Sequence, residues 1–149
     1  MFPNAKGSEL LAILATLEPV SQAAGTVTTG WISAANHHGL LVVVQTGVLG
    51  ASATLDAKLQ QAQDNSGTGA KDINGKALTQ LVKASGDNKQ ALINFKPDEL
   101  DTVNGFGFVR LSLTVGVAAS LVAAQVLGVS PRFAPADAGN QAAVTQVVG

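Results

Sequence analysis

From Val109 to Val115 every odd position is apolar (Val109, Leu111, Leu113, Val115), while Arg110, Ser112 and Thr114 between them are polar. This two-residue period is that of a strand with one buried face. Gly116 breaks the run, and after a small-residue turn Leu121–Leu127 is apolar on both parities, as expected of a strand covered on each side. Gly105–Val129 therefore predicts strand, turn and strand, read here as a hairpin. No catalytic group is visible in it, which turns the reading towards a structural protein.

The rest of the chain repeats the theme. Ala53, Leu55, Ala57 and Leu59 alternate with Thr54, Asp56, Lys58 and Gln60, the mark of an antiparallel strand with one wet face; Gly47–Gly50 supplies the preceding turn. Leu40–Val44 is apolar throughout and reads as a central strand. Thr26–Ile32 is rich in β-branched residues and holds the lone tryptophan, Trp31, expected to anchor the core. Ser8–Pro19 suits a capped helix or a strand; the strand is preferred because everything downstream is β-like, and Pro19 is expected to end it either way. Ala77–Val82 and Gln90–Phe95 read as short strands around a Ser85–Asn88 turn, and Pro97–Asp101 as a short helix crossing a sandwich end. Asp64–Gly69 reads as a loop. One core is expected from Trp31, Leu40 to Val44, Leu55, Leu59, Ile93, Phe95, Leu111 and Leu113. About eight short strands between Gly, Asn, Asp and Pro corners predict an all-β chain, an antiparallel β-sandwich or jelly roll.

Ser130–Pro135 carries two prolines, which stop the sheet. The expected division is an N-terminal arm over 1–8, a sandwich over 9–131 and a C-terminal arm over 132–149. The tail is too apolar for a solvated linker and too aperiodic for the main fold. Pro131, Arg132, Phe133, Val144, Val147 and Val148 are thus the candidate partner-binding residues, each valine contributing about 1.5–3 kcal/mol if fully covered.

Composition limits the function. The chain has 149 residues, enough for one core, and no cysteine, which removes disulfides, thiol catalysis and cysteine-ligated zinc. A net charge of -1 with scattered basic residues argues against nucleic acid. No apolar run approaches the ~20 residues of a membrane span, and Met1–Lys6 lacks the pattern of a signal peptide, so a cytoplasmic site of synthesis is expected. With 46% hydrophobic and only 13% charged residues, the surface is poorly charged, which points to a protein packed against other subunits.

Reactive chemistry is thin. His37 and His38 are neighbours, so on a strand they would point to opposite faces, and no third ligand lies near; a surface turn is expected and metal is not. Asp64–Gly69 with Asp72 lacks the ordered ligand spacing of a calcium loop, and no phosphate-binding Lys-Ser or Lys-Thr follows its glycines. No enzyme activity and no cofactor are expected.

The order Ala51–Ala62, Gly67–Ile73, Leu78–Leu81 and Phe108–Gly116 resembles small virion proteins of tailed bacteriophages and prophages, including the capsid cement, or decoration, proteins. The resemblance spans roughly Trp31 to Pro131 and rests on diffuse patterning. It implies a jelly-roll-like protein on the outer surface of the phage head, assembled in the host cytoplasm, bridging neighbouring major capsid protein subunits. It also implies self-association as a homodimer, or alternatively a homotrimer, with no nucleic acid or membrane partner. Another virion component (tail, head-completion or head-fibre protein) and a jelly-roll carbohydrate-binding module are the alternatives.

Overall fold

The computed structural model describes residues 3–149. In chain order it contains α1 (Gly7–Leu10), β1 (Leu11–Gln22), β2 (Gly25–Thr28), β3 (Ile32–Ser33), β4 (His37–Thr46), β5 (Thr54–Ala62), β6 (Lys71–Ala77), β7 (Leu81–Val82), α2 (Lys83–Gly86), β8 (Gln90–Phe95), β9 (Phe108–Gly116) and β10 (Ser120–Pro131). Single 3-10 turns occupy Pro97–Glu99, Thr102–Asn104 and Ala136–Gly139.

Two antiparallel sheets form a sandwich. The first, sheet A, runs β1-β10-β4-β8; the second, sheet B, runs β2-β9-β5-β6, with β3 also on β9 and β7 also on β5. If β2 with β3, and β6 with β7, are each taken as one interrupted strand, the pairing is nested. The first strand pairs with the last (β1·β10), the second with the seventh (β2/β3·β9), the third with the sixth (β4·β8) and the fourth with the fifth (β5·β6/β7). That wrapping is a jelly roll. The all-β antiparallel sandwich expected from the pattern is therefore the fold.

The expected hairpin is not formed. β9 lies between β2 and β5 in sheet B, whereas β10 lies between β1 and β4 in sheet A. Val117, Ala118 and Ala119 cross from one sheet to the other, with Val117 at φ 72°. Alternation reveals which face of a strand is buried but not which strand lies beside it, and a short link serves a crossover between packed sheets as well as a hairpin.

The core fills the space between the sheets. Leu40, Val42, Val44, Ile93, Phe95, Val122 and Val126 meet Leu55, Leu59, Val109, Leu111, Leu113 and Val115 across it. Of the expected core run Leu40 to Val44, only the even positions point inward; Leu41 and Val43 face out and are half-buried. Trp31 is also only half-buried, lying outside the core.

Local chemistry explains the other departures. Of Ser8–Pro19, Ser8–Leu10 belongs to α1 and only the part from Leu11 is the preferred strand, β1; Pro19 lies within it, at the register shift between Leu17 and Val20. β1 is at the edge of sheet A, where a bulge tolerates a residue without an N–H. The expected strand Thr26–Ile32 is interrupted at Thr29, whose N–H donates to the Leu111 carbonyl (3.0 Å) while Thr29 Oγ1 accepts from Leu111 N–H (3.0 Å). A hydroxyl thus stands in for a carbonyl in the ladder. Ala77–Val82 is strand only at Ala77, where β6 ends, and at Leu81–Val82, and β6 has no periodic signal because Ile73 is its one buried residue. Gly75 at φ 74° accompanies the register shift of β6 on β5. His37 and His38 begin β4 and are not a surface turn.

Asp64 organises the expected loop: one carboxylate oxygen accepts from Ser66 N–H (2.9 Å) and Thr68 N–H (3.0 Å), the other from Thr68 Oγ1 (2.6 Å). The turn at Pro97–Glu99 lies on the route from β8 to sheet B, and Glu99 Oε2 accepts from Lys96 N–H (2.7 Å).

Candidate interaction surfaces

The two outer faces differ in kind. On sheet A, the alternation that buries Leu40, Val42 and Val44 turns Leu41, Val43 and Gln45 outward; it likewise turns out Gln90, Leu92 and Asn94 of β8, and Leu121, Ala123, Gln125, Leu127 and Val129 of β10. None of these side chains is ionisable. Leu92 is 57% and Leu121 47% exposed. Their register aligns Leu41 with Leu127 and Val43 with Leu92, so the apolar residues form rows across the strands.

The outer face of sheet B is charged and internally paired. Lys58 Nζ lies 2.8 Å from Asp72 Oδ2, and Gln60 Nε2 donates to Asp72 Oδ1 (2.9 Å). The hydrogen bond from Lys58, then that from Gln60, holds the Asp72 carboxyl below the usual range. Gln80 Nε2 donates to Asp56 Oδ2 (2.8 Å), and Arg110 Nε to Gln60 Oε1 (2.9 Å). The Arg110 guanidinium lies 4.5 Å from the centre of the Trp31 ring. At the ring's edge is Gly67, where a Cβ would come within 2.7 Å of Trp31 Nε1. Trp31 is therefore a fixed stacking partner of Arg110 and not a core anchor.

The residues singled out near the C-terminus have three different fates. Pro131 closes β10 opposite His37 and is half-buried. Arg132 is exposed, with its N–H donating to the Asn36 carbonyl (2.9 Å), and Phe133 is 77% exposed. Val144 is half-buried, while Val147 and Val148 are exposed, Val148 by 86%.

The tail is docked before it reaches those valines. Ala136 is buried, Asn140 Oδ1 accepts from Ile13 N–H (2.8 Å), and Gln141 N–H donates to the Ile13 carbonyl (2.7 Å). Gln141 Nε2 also donates to Thr16 Oγ1 (3.2 Å). An arm free from residue 132 is thus replaced by a segment hydrogen-bonded to the edge of β1 through Gln141. Truncation from residue 136 would strip these bonds, so a deletion aimed at contacts alone has to start after Gln141. Gly149 ends beside the Lys6 ammonium, and Pro3, Asn4 and Leu10 line one groove with Arg132 and Pro135. The two chain ends therefore share one side of the molecule. Met1 and Phe2 of the expected N-terminal arm lie outside the described residues.

His37 is buried and His38 exposed, so the pair does point to opposite sides. A Cβ at Gly128 would come within 2.6 Å of the His37 ring, so glycine makes room for the imidazole. Among the described residues no group of three or more histidine or carboxylate side chains is placed to hold a metal ion. Burial lowers the His37 pKa because it removes water from the charged form. A histidine depressed in the fold binds fewer protons than its unfolded counterpart, so stability should fall as pH drops below the unfolded value of about 6.5. Urea unfolding between pH 7 and 5 is expected to show this loss, and His37→Gln to flatten the profile; a slope unchanged in the variant would refute it.

No protein-family model matches the chain, and no curated protein matches it. Several solved structures resemble it at low identity. The SPBc2 prophage-derived protein YomS shares 10% identity and a TM-score of 0.46 over 80% of this chain and 93% of that one. A structure described as "CBM4 structure and function" shares 15% and 0.41 over 70% of this chain, which spans 61% of that protein's length. A structure of infectious bursal disease virus, Gx strain, shares 12% and 0.43 over 85% of this chain and 33% of that one. Since these scores are below 0.5, the jelly-roll assignment rests on the strand pairing itself.

Proposed function

We propose that this chain is a non-catalytic virion structural protein that binds the outside of a tailed-phage head and stabilises it by bridging neighbouring major capsid protein subunits. The observation that carries the reading is the division between the two sheets. One outer face is hydrogen-bonded and ion-paired within itself, whereas β4, β8 and β10 of the other present leucine, valine, alanine and uncharged amides, with Glu18 of β1 at one side of them. An apolar, uncharged surface is suited to burial against another protein and gains little from facing water. Binding that exists only on the assembled shell shifts the equilibrium away from disassembly, and repetition over many sites makes modest single contacts sufficient.

The sugar-binding alternative is weakened at Trp31, the natural stacking platform, because Arg110 lies over its ring and Gly67 abuts its edge. Copy number tests the main reading. Quantitative gel analysis of purified particles is expected to give on the order of hundreds of copies per head, as repeated shell sites require. A few to some dozens would instead assign the chain to a connector or tail, and absence from particles would overturn the reading altogether.

A further inference from the structure

We propose that two copies of this chain form a two-fold dimer by pairing β8 with β8, antiparallel and centred on Leu92. The proposal deepens the assembly reading by supplying the self-contact.

The argument rests on how the sheet edges are finished. At β1 the tail hydrogen-bonds Ile13 through both Asn140 and Gln141, and two register shifts bend the strand. In sheet B one edge is interrupted at Thr29, and the other combines Gly75 with the charges of Lys71 and Asp72. These are recognised ways of keeping an edge from pairing with another chain. β8 is protected at one end only, where Lys76 of β6 reaches Asn94: Gln90-Ala-Leu-Ile-Asn-Phe95 itself holds no charge, proline or glycine, and pairs with β4 in unbroken register from Phe95 to Gln90.

The phase of that ladder is fixed at its end, where Thr46 N–H donates to the Lys89 carbonyl (2.9 Å). Antiparallel alternation then directs the backbone groups of Ala91, Ile93 and Phe95 to β4 and those of Gln90, Leu92 and Asn94 away from it. The Asn94 carbonyl accepts from Lys76 Nζ (2.9 Å). The outward groups of Gln90 and Leu92 have no protein partner among the described residues.

A row of alternating free donors and acceptors is complementary to an antiparallel copy of itself. Two-fold pairing centred on Leu92 exchanges both hydrogen bonds between the two copies of Leu92 and sets Gln90 opposite Asn94 on each side. The Asn94 carbonyl has a second lone pair, so it can accept from the partner's Gln90 while keeping Lys76. On the outer face the two Leu92 side chains meet, each backed by its own Val43, so an apolar row of four side chains crosses the seam of an eight-stranded sheet and ends at Gln125 on either side.

The chain has no cysteine, so a single introduced thiol reports the register. Facing residues of an antiparallel pair lie about 5.5 Å apart at Cα, within disulfide reach. Under mild oxidation, Leu92→Cys is expected to yield a linked species of twice the 15.0 kDa chain mass. Asn94→Cys alone is not, while the Gln90→Cys/Asn94→Cys double variant is. The unmodified chain should sediment as a dimer at up to about 100 µM, where a micromolar interface is saturated. Leu92→Pro removes only an outward N–H and should be a folded monomer by circular dichroism; if proline prevents folding, Leu92→Lys serves instead. A monomeric wild-type chain overturns the proposal, as does equal linking by Leu92→Cys and Asn94→Cys. These measurements use no heads, so a monomer abundant on heads refutes the pairing alone, and a β8-linked dimer absent from heads refutes the head reading alone.

Discussion

Leu111→Ala is expected to lower the unfolding free energy by about 2–5 kcal/mol, the range for truncating a fully buried leucine. The side chain is 0% exposed and comes from the middle of β9, which itself lies in the middle of sheet B. Both backbone groups of Leu111 bond to Thr29, so the substitution removes packing while leaving that unusual ladder step in place. The cavity would open between Leu59 on the neighbouring strand and the residues of sheet A across the core, where two rigid layers limit collapse. Urea denaturation should show a lower midpoint at an unchanged slope. A loss under about 0.5 kcal/mol, the scale of a surface change, would place Leu111 outside the core.

Gly50→Ala should be costly for the opposite reason. A Cβ at Gly50 would lie 2.5 Å from the Ala119 carbonyl oxygen and 2.6 Å from Ala118 Cβ, in the crossover between β9 and β10. Neither atom can rotate away, because both are fixed to the backbone. The turn is held on the same side as well, with Gly50 N–H donating to Ser120 Oγ (3.0 Å) and its carbonyl accepting from Ala53 N–H (3.0 Å). Overpacking of this kind costs about 1–3 kcal/mol, which corresponds to a fall of roughly 3–10 °C in Tm for a chain of this size. Gly30→Ala is the control: nothing lies within 4 Å of the added methyl group, so its Tm should stay close to that of the parent. Equal melting of both variants would contradict the close packing of the two turns.

What the sequence revealed depended on whether the signal was local. The alternation of Ala53–Gln60 assigned inward and outward residues of β5 correctly, because the period belongs to one strand. The pattern at Val109–Leu127 identified β9 and β10 but mistook their relation, since pairing is decided by distant strands. β6 has one buried residue and so no period to detect. His37 and Trp31 were misplaced because their surroundings, Gly128 for one and Gly67 with Arg110 for the other, come from remote parts of the chain. The apolar outer sides of β4 and β10 did leave a trace: these strands are apolar at both parities where β5 and β9 alternate. That trace was read as burial on both sides, whereas the structure leaves one side open. The open edge at β8 left no local signal, because an edge exists only once strand order is known.

The nested pairing also dictates an order of events as the chain is made. Sheet B is complete in sequence once Gly116 has been synthesised, but sheet A lacks its second strand until β10 follows. Until then β1 and β4 have nothing between them, and β1 waits longest. Its bond from Ile13 to Asn140 spans 127 positions, a long loop to close and a contact of the kind that slows β-sheet folding. At roughly 5–20 residues per second, a growing chain exposes the unpaired apolar residues of β1 for several seconds before β10 can cover them. A ribosome stalled short of Pro131 would thus hold half a sandwich, with the first strand made still lacking its partner.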